Sequence, residues 1–282
     1  MKLIECPRDA IQGIKHFIPT EAKVQYINQL LTAGFDTIDF GSFVSPKMVP
    51  QMADTAEVLR MLDLSSTKSK LLAIVANERG ALDACSFEEI ACLGYPFSIS
   101  EAFQLRNTGS TIAESLDRVK VIQELCAKHN KQLVIYISMG FGNPYGEEWN
   151  SEIALKWVDV LNQLGIKTFS LADTVGVANP QSISYLFGNL IPTYPHLEFG
   201  AHLHTTPNTW KEKLEAAWLA GCRRFDGAIM GYGGCPMASD QLVGNMATEN
   251  LVEFVRDKKI NVGTIQQTID DLKVSFQHLI IA

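Results

Sequence analysis

The chain has 282 residues, 46% of them hydrophobic, and a formal charge of −7 from 24 Lys plus Arg against 31 Asp plus Glu. That length holds one large α/β domain or two small ones, with apolar material for a sizeable core. The acidic balance argues against a nucleic-acid partner, which needs a concentrated basic face. Six cysteines (Cys6, Cys85, Cys92, Cys126, Cys222, Cys235) form no CxxC pair, so a reducing compartment is the simpler reading. No apolar run reaches the 18 or so residues that span a bilayer, and Met1 to Cys6 carries no signal-peptide or transit character. The expectation is a cytoplasmic protein with no membrane partner.

Short β-rich runs alternate with helical patterns from end to end. Leu3 to Cys6 is the first candidate strand, followed by a helix whose opening, Thr20-Glu21-Ala22-Lys23, reads as a cap with Val24, Ile27, Leu30 and Leu31 on one face. Thr37 to Phe40, Leu71 to Ala76 and a weak stretch around Tyr95 to Ile99 are the next three strands. A helix from Ile112 to His129 precedes Leu133 to Ser138, and another from Ile153 to Leu164 stops at Gly165. Thr168 to Leu171, Leu197 to Leu203 and Arg223 to Gly227 bring the strand count to eight. Alternation of this kind calls for a parallel sheet, and eight strands favour a closed (β/α)8 TIM barrel over an open one. Such a barrel takes about 250 residues. No linker divides the chain, so residues 1–282 read as one domain, with the segment from about 240 to 282 completing or flanking the barrel.

Reactive groups in such barrels gather at the carboxyl ends of strands. His202-Leu203-His204 closes the seventh strand; residues two apart on a strand share a side, and neutral imidazoles ligate divalent metals. Two half-buried histidines bonded to backbone are the plain alternative. Arg8-Asp9 follows the first strand: Asp9 offers an anionic oxygen and Arg8 a fixed fork of donors for a developing oxyanion. Neighbours on a strand point opposite ways, so both serve one site only if the chain turns after Cys6-Pro7. Otherwise they are a surface ion pair. Gly233-Gly234-Cys235-Pro236 puts a thiol in a glycine-rich loop after the eighth strand, either a proton carrier or an inert cysteine. Gly244-Asn245 reads as the opening of the last helix, with Asn245 as its cap or as an amide oxygen at the mouth. Asp39 and Ser42 after strand two, and Asp173 after strand six, orient groups at the mouth or cap helices. Gly140-Phe141-Gly142 lacks the third glycine of a dinucleotide turn and runs into Asn143-Pro144, so it is set aside.

Together these segments resemble the 3-hydroxy-3-methylglutaryl-CoA (HMG-CoA) lyase family of DRE-TIM metallolyases. The matching pieces are Pro7-Arg8-Asp9 with Gln12, Ser42-Phe43-Val44-Ser45-Pro46-Lys47, Ser170-Leu171-Ala172-Asp173-Thr174-Val175-Gly176, His202-Leu203-His204, Gly234-Cys235-Pro236 and Gly244-Asn245-Met246-Ala247-Thr248-Glu249. They keep family order from about Leu3 to about Val255.

The resemblance implies that Asp9, His202, His204 and Asn245 bind Mg2+ or Mn2+ in a roughly octahedral shell. It implies that Arg8 stabilises a thioester enolate, that Cys235 relocates a proton, and that Asp39, Asp173 and Glu249 hold ligands and Arg8 in place. Gln12, Ser42 and Lys47 become candidates for supporting or substrate contacts. Lys47, Arg106 and Asn107 fall on the predicted mouth where an acyl-CoA would lie, and a homodimer follows by analogy. The implied reaction is cleavage of HMG-CoA to acetyl-CoA and acetoacetate.

The chain departs from the family pattern at Asp39 (usually Glu), at Thr205 (usually Asp), at Phe141-Gly142-Asn143 (often a cysteine) and in a longer loop between Cys235 and Asn245. These leave the acyl group open. A related 3-hydroxyacyl-CoA lyase, a related synthase or aldolase, and a non-catalytic acyl-CoA binder are the competing readings; the last two need no GCP loop.

Overall fold

The computed structural model describes residues 1–234, 243–262 and 265–282. Eight parallel strands close on themselves in chain order: β1 (Lys2–Glu5), β2 (Thr37–Ser42), β3 (Lys70–Ile74), β4 (Ile90–Ser98), β5 (Gln132–Ser138), β6 (Thr168–Ala172), β7 (Glu198–His202) and β8 (Arg224–Gly227). Closure is made by β1 on β8, with Lys2 opposite Arg224 and Glu5 opposite Gly227. The architecture is the (β/α)8 barrel expected from the alternation, and closure pairs each strand with a neighbour on both sides.

The helices follow from capping and one-sided apolar patterning. After β1 comes a short turn of helix, α1 (Pro7–Ile11), then α2 (Thr20–Ala33), which buries Val24, Ile27, Leu30 and Leu31 and stops at Gly34 with φ 98°. Thr20 is not the cap: Pro19 holds that position, and the Thr20 hydroxyl donates to Asp54 instead. α3 (Thr55–Met61), α4 (Glu78–Cys85) and α5 (Glu101–Thr108) follow β2, β3 and β4. α6 (Ile112–Lys128) opens on a reciprocal Thr111–Glu114 capping box, which satisfies two backbone donors at its start. Then come α7 (Ser151–Gln163), α8 (Pro180–Thr193), α9 (Trp210–Leu219), α10 (Thr248–Asp257) and α11 (Ile265–Leu279). α11 returns to the start of the chain and packs on α2, with the rings of Tyr26 and Phe276 5.6 Å apart. β4 begins five residues before the weak stretch read from Tyr95, because Ile90, Cys92 and Leu93 pair with β3 and β5. No helix among the described residues is long and apolar enough to cross a membrane.

The main core lies between sheet and helices. A second apolar cluster, Leu72, Ile74, Cys92, Val134 and Tyr136, fills the inside of the barrel at β3, β4 and β5. Gly94 makes room for it: a Cβ there would sit 2.5 Å from Ile74 Cδ1 and 3.0 Å from Tyr136.

Candidate active site

Pro7 begins α1 immediately after β1, and this single turn of helix replaces the strand's alternation by a rotation of about 100° per residue. Arg8 and Asp9 therefore reach one cavity, and both are buried. Arg8 Nη1 donates to Asp9 Oδ1 at 2.8 Å, while its Nε and Nη2 fork onto Asp39 at 3.1 and 2.5 Å. Burial opposes the guanidinium charge, but Asp39 and Asp9 more than offset it, so Arg8 stays protonated. Asp39 belongs to β2 itself; burial raises its pKa to about 6 even against Arg8. Gln12 Nε2 donates to Asp9 Oδ1 at 2.7 Å, so Asp9 is gripped from two sides.

His202 ends β7, and His204 lies two residues on, their rings 5.6 Å apart between centroids. Beyond β7 the chain pairs antiparallel with Gly244 to Met246, and His204 stands opposite Asn245. Asn245 is thus no helix cap; α10 starts at Thr248. Its Nδ2 donates to Asp9 Oδ2 at 2.7 Å and to the Tyr232 carbonyl at 2.8 Å. With both amide hydrogens committed, the carbonyl oxygen is the atom of Asn245 that can ligate a cation.

One donor atom from each of Asp9, His202 and His204 lies within 4.8 Å of the others. Burial, with His202 beside it, pushes His204 down to a pKa of about 3, so the ring is neutral and keeps a lone pair. Burial works against ionised Asp9, yet Arg8 and His202 hold its pKa below the usual carboxylate value. Two imidazoles, a carboxylate and an amide oxygen suit a divalent cation of intermediate hardness.

Asp226 on β8 accepts from Ser170 Oγ at 3.0 Å and lies 3.2 Å from His202 Nδ1; its other oxygen accepts from Arg224 at 3.1 Å. Burial opposes its charge, but Arg224 and then His202 lower its pKa. Asp173, expected among the groups that hold the ligands and Arg8 in place, lies close to His204. Lys213 Nζ donates to Asp173 Oδ2 at 2.8 Å and to the His204 carbonyl at 2.9 Å, and Asp173 Oδ1 accepts from Ala178 N. Glu249 touches none of the four candidate ligands; it accepts from Met230 N, a residue held at φ 60° just before the Gly231 turn. Ser42 lines the cavity, whereas Lys47 is exposed and only its neighbours Met48 and Val49 line it. Asn107 lines it too, and Arg106 does not. Cys235 lies outside the described residues.

The cavity encloses about 170 Å³. Arg8, Asp9, His202 and His204 form its reactive end, and Val44, Met48, Val49, Ile74, Ala76 and Phe103 form an apolar wall. Between them Tyr136 presents a buried hydroxyl with no partner among the described residues, its ring edge-on to His202 at 5.7 Å. Sequence reasoning missed Tyr136, Asp226, Arg224 and Lys213. Their motifs are ordinary strand and helix residues, and only a rule that inward strand positions carrying charge are unusual marks Arg224 and Asp226.

Fold and site together define a (β/α)8-barrel enzyme with its reactive groups at the carboxyl ends of the strands. The HMGL-like family model matches residues 3–274, and the chain belongs to that family of carbon–carbon lyases. It is 34% identical over 260 residues to a hydroxymethylglutaryl-CoA lyase of Bacillus subtilis, covering 91% of this chain and 85% of that one. It is 30% identical over 266 residues to a (R)-citramalyl-CoA lyase of Chloroflexus aurantiacus, covering 91% and 83%. Among solved structures, an HMG-CoA lyase from Acenitobacter baumannii in complex with coenzyme A and 3-methylmalate superposes with a TM-score of 0.91 at 30% identity, covering 99% of this chain and 91% of that one.

Proposed function

We propose that the chain cleaves HMG-CoA to acetyl-CoA and acetoacetate, with Mg2+ or Mn2+ held by Asp9, His202, His204 and Asn245. The observation that carries this is the convergence of Asp9, His202 and His204 on one point of a cavity whose wall also holds Arg8. In the reaction the C3 hydroxyl loses its proton, the C2–C3 bond breaks, and its electron pair moves onto the thioester carbonyl as an enolate. A proton then reaches C2 to give acetyl-CoA. The cation, when bound, supplies Lewis acidity toward the substrate's oxygens.

Arg8 meets the enolate charge. Its guanidinium is oriented by Asp39 and Asp9 before substrate arrives, so it does not reorganise as charge develops. Tyr136 offers its unpartnered hydroxyl to a substrate oxygen, an exchange that costs no existing hydrogen bond. The apolar wall excludes water from the enolate. Cys235 is proposed as the group that carries the proton, and Asp173 with Lys213 as the support that holds the His204 backbone in place. Pairing of two copies is proposed by analogy with the family.

Incubating Mn2+-loaded protein with HMG-CoA and measuring acetoacetate tests the reading; no acetoacetate overturns the substrate assignment. The relative that cleaves (R)-citramalyl-CoA supports a second reading, a related 3-hydroxyacyl-CoA with the same cleavage step. Asp9→Ala is expected to weaken Mn2+ binding at least about tenfold in titration calorimetry, as for a lost anionic ligand. Unchanged affinity removes Asp9 from the ligand set.

A further inference from the structure

We infer that Asp226, held in turn by Arg224, is the positioning residue that fixes the tautomer of His202 and aims its free ring nitrogen at the cation. This rests on the metal site proposed above.

The geometry carries it in three steps. Asp226 is buried on β8, and both of its oxygens are occupied: Oδ1 by Arg224 Nη1 at 3.1 Å, Oδ2 by Ser170 Oγ at 3.0 Å and by His202 Nδ1 at 3.2 Å. A carboxylate neutralised by a guanidinium only accepts hydrogen bonds. Nδ1 of His202 must therefore carry the ring proton, which leaves the lone pair on Nε2 for the cation.

Arg224 is itself built in. It stands two residues before Asp226 on β8, so both side chains point the same way, into the barrel. On the neighbouring strand Gly200 lies opposite it in register, and a Cβ at Gly200 would fall 2.9 Å from Arg224 Nη1 and 3.2 Å from Cδ. The missing side chain at 200 is what admits the guanidinium. Behind it Glu198, paired with Lys2, stands 3.9 Å from Arg224 Nε.

A rival use of the same atoms exists. Cys6, His202 and Asp226 each offer a donor within 4.8 Å of the others, a set that would suit a thiophilic cation. Position argues against it: Asp9, His202 and His204 all line the cavity, whereas Cys6 and Asp226 do not.

The test uses the metal-free and Mn2+-titrated full chain. In metal-free wild-type protein, in buffer alkaline enough to keep the imidazole neutral, 15N spectra of the histidine side chains, with His202 assigned by difference from His202→Gln, are expected to show the Nδ1–H tautomer. Asp226→Asn turns a pure acceptor into a donor toward Nδ1 and drives the proton to Nε2. Its Mn2+ affinity, read by electron paramagnetic resonance of free Mn2+, is expected to fall roughly 10- to 100-fold. Gly200→Ala touches no ligand yet displaces Arg224, and a smaller loss of a few-fold is expected; Cys6→Ala should leave Mn2+ affinity unchanged. Wild-type affinity in Asp226→Asn, or an Nε2–H tautomer in the wild type, overturns the role of Asp226 alone. Loss of binding in Cys6→Ala moves the cation to the rival cluster and overturns it as well. A wild-type chain that takes up no Mn2+ sinks the metal site and this role together. Where Asp226→Asn does not fold, the tautomer and Gly200→Ala decide.

Discussion

Inside the barrel, β3 to β5 turn Leu72, Ile74, Cys92, Val134 and Tyr136 toward the axis, whereas β6 to β8 turn Ser170, His202, Arg224 and Asp226. The first half is held mainly by packing, and the Tyr136 hydroxyl within it is left without a partner among the described residues. The second half is held by a network in which every charge faces an opposite one. Apolar packing is forgiving of orientation; a buried ion network is not, because removing one member strands another charge in a low-dielectric interior. The contrast matches the cavity, whose reactive end holds His202 and His204 and whose apolar wall adjoins Ile74 and Tyr136.

The sharpest way to break that contrast is at the reactive end. Arg8→Met is expected to lower kcat by about 10²- to 10³-fold, the usual cost of losing a preorganised oxyanion donor, while circular dichroism stays native. A variant with near-normal kcat would move enolate stabilisation elsewhere. In the apolar half, Leu72→Ala should cost about 2–5 kcal/mol in denaturant unfolding through a cavity and lost contacts, with Mn2+ affinity untouched. A loss of metal binding there would mean that the two halves are coupled.

A third region, on the helix-facing side of β1, lets the electrostatic argument be checked away from the cavity. Glu5 is buried and accepts from Ile229 N and Thr248 Oγ1, and burial raises its pKa from 4.5 to about 8. The folded state therefore holds its proton more tightly than the unfolded one. The stability it contributes is full below pH 4.5, declines as pH rises, and is lost through pH 8. Glu5→Gln keeps the shape without the titration. Relative to the wild type, its unfolding free energy is expected to gain between pH 5 and 8, by an amount on the order of 2–4 kcal/mol in denaturant titrations. Parallel pH profiles for the two proteins would contradict the raised pKa.

The smallest effect is expected at the border between the halves. Tyr136→Phe removes a hydroxyl that no described group satisfies, so stability should hold or rise slightly while kcat/KM falls about tenfold. Unchanged kcat/KM would mean that the hydroxyl does not meet substrate.

Much was determined by the sequence alone. Strand and helix periods, set by local sterics and by which faces are apolar, specify eight β/α units, and the pairs Arg8-Asp9 and His202-x-His204 are readable because each is short and local. Pro7 hinted at the turn that lets Arg8 and Asp9 share a cavity, but only the helical turn of α1 established it. What tertiary structure decided are the partnerships across the closed barrel: Asp39 under Arg8, Asp226 behind His202, Lys213 tying Asp173 to the His204 backbone, and Asn245 in an extended bridge rather than a helix cap. Those residues are separated by tens to hundreds of positions along the chain. No local pattern encodes such distances; closing β1 against β8 does.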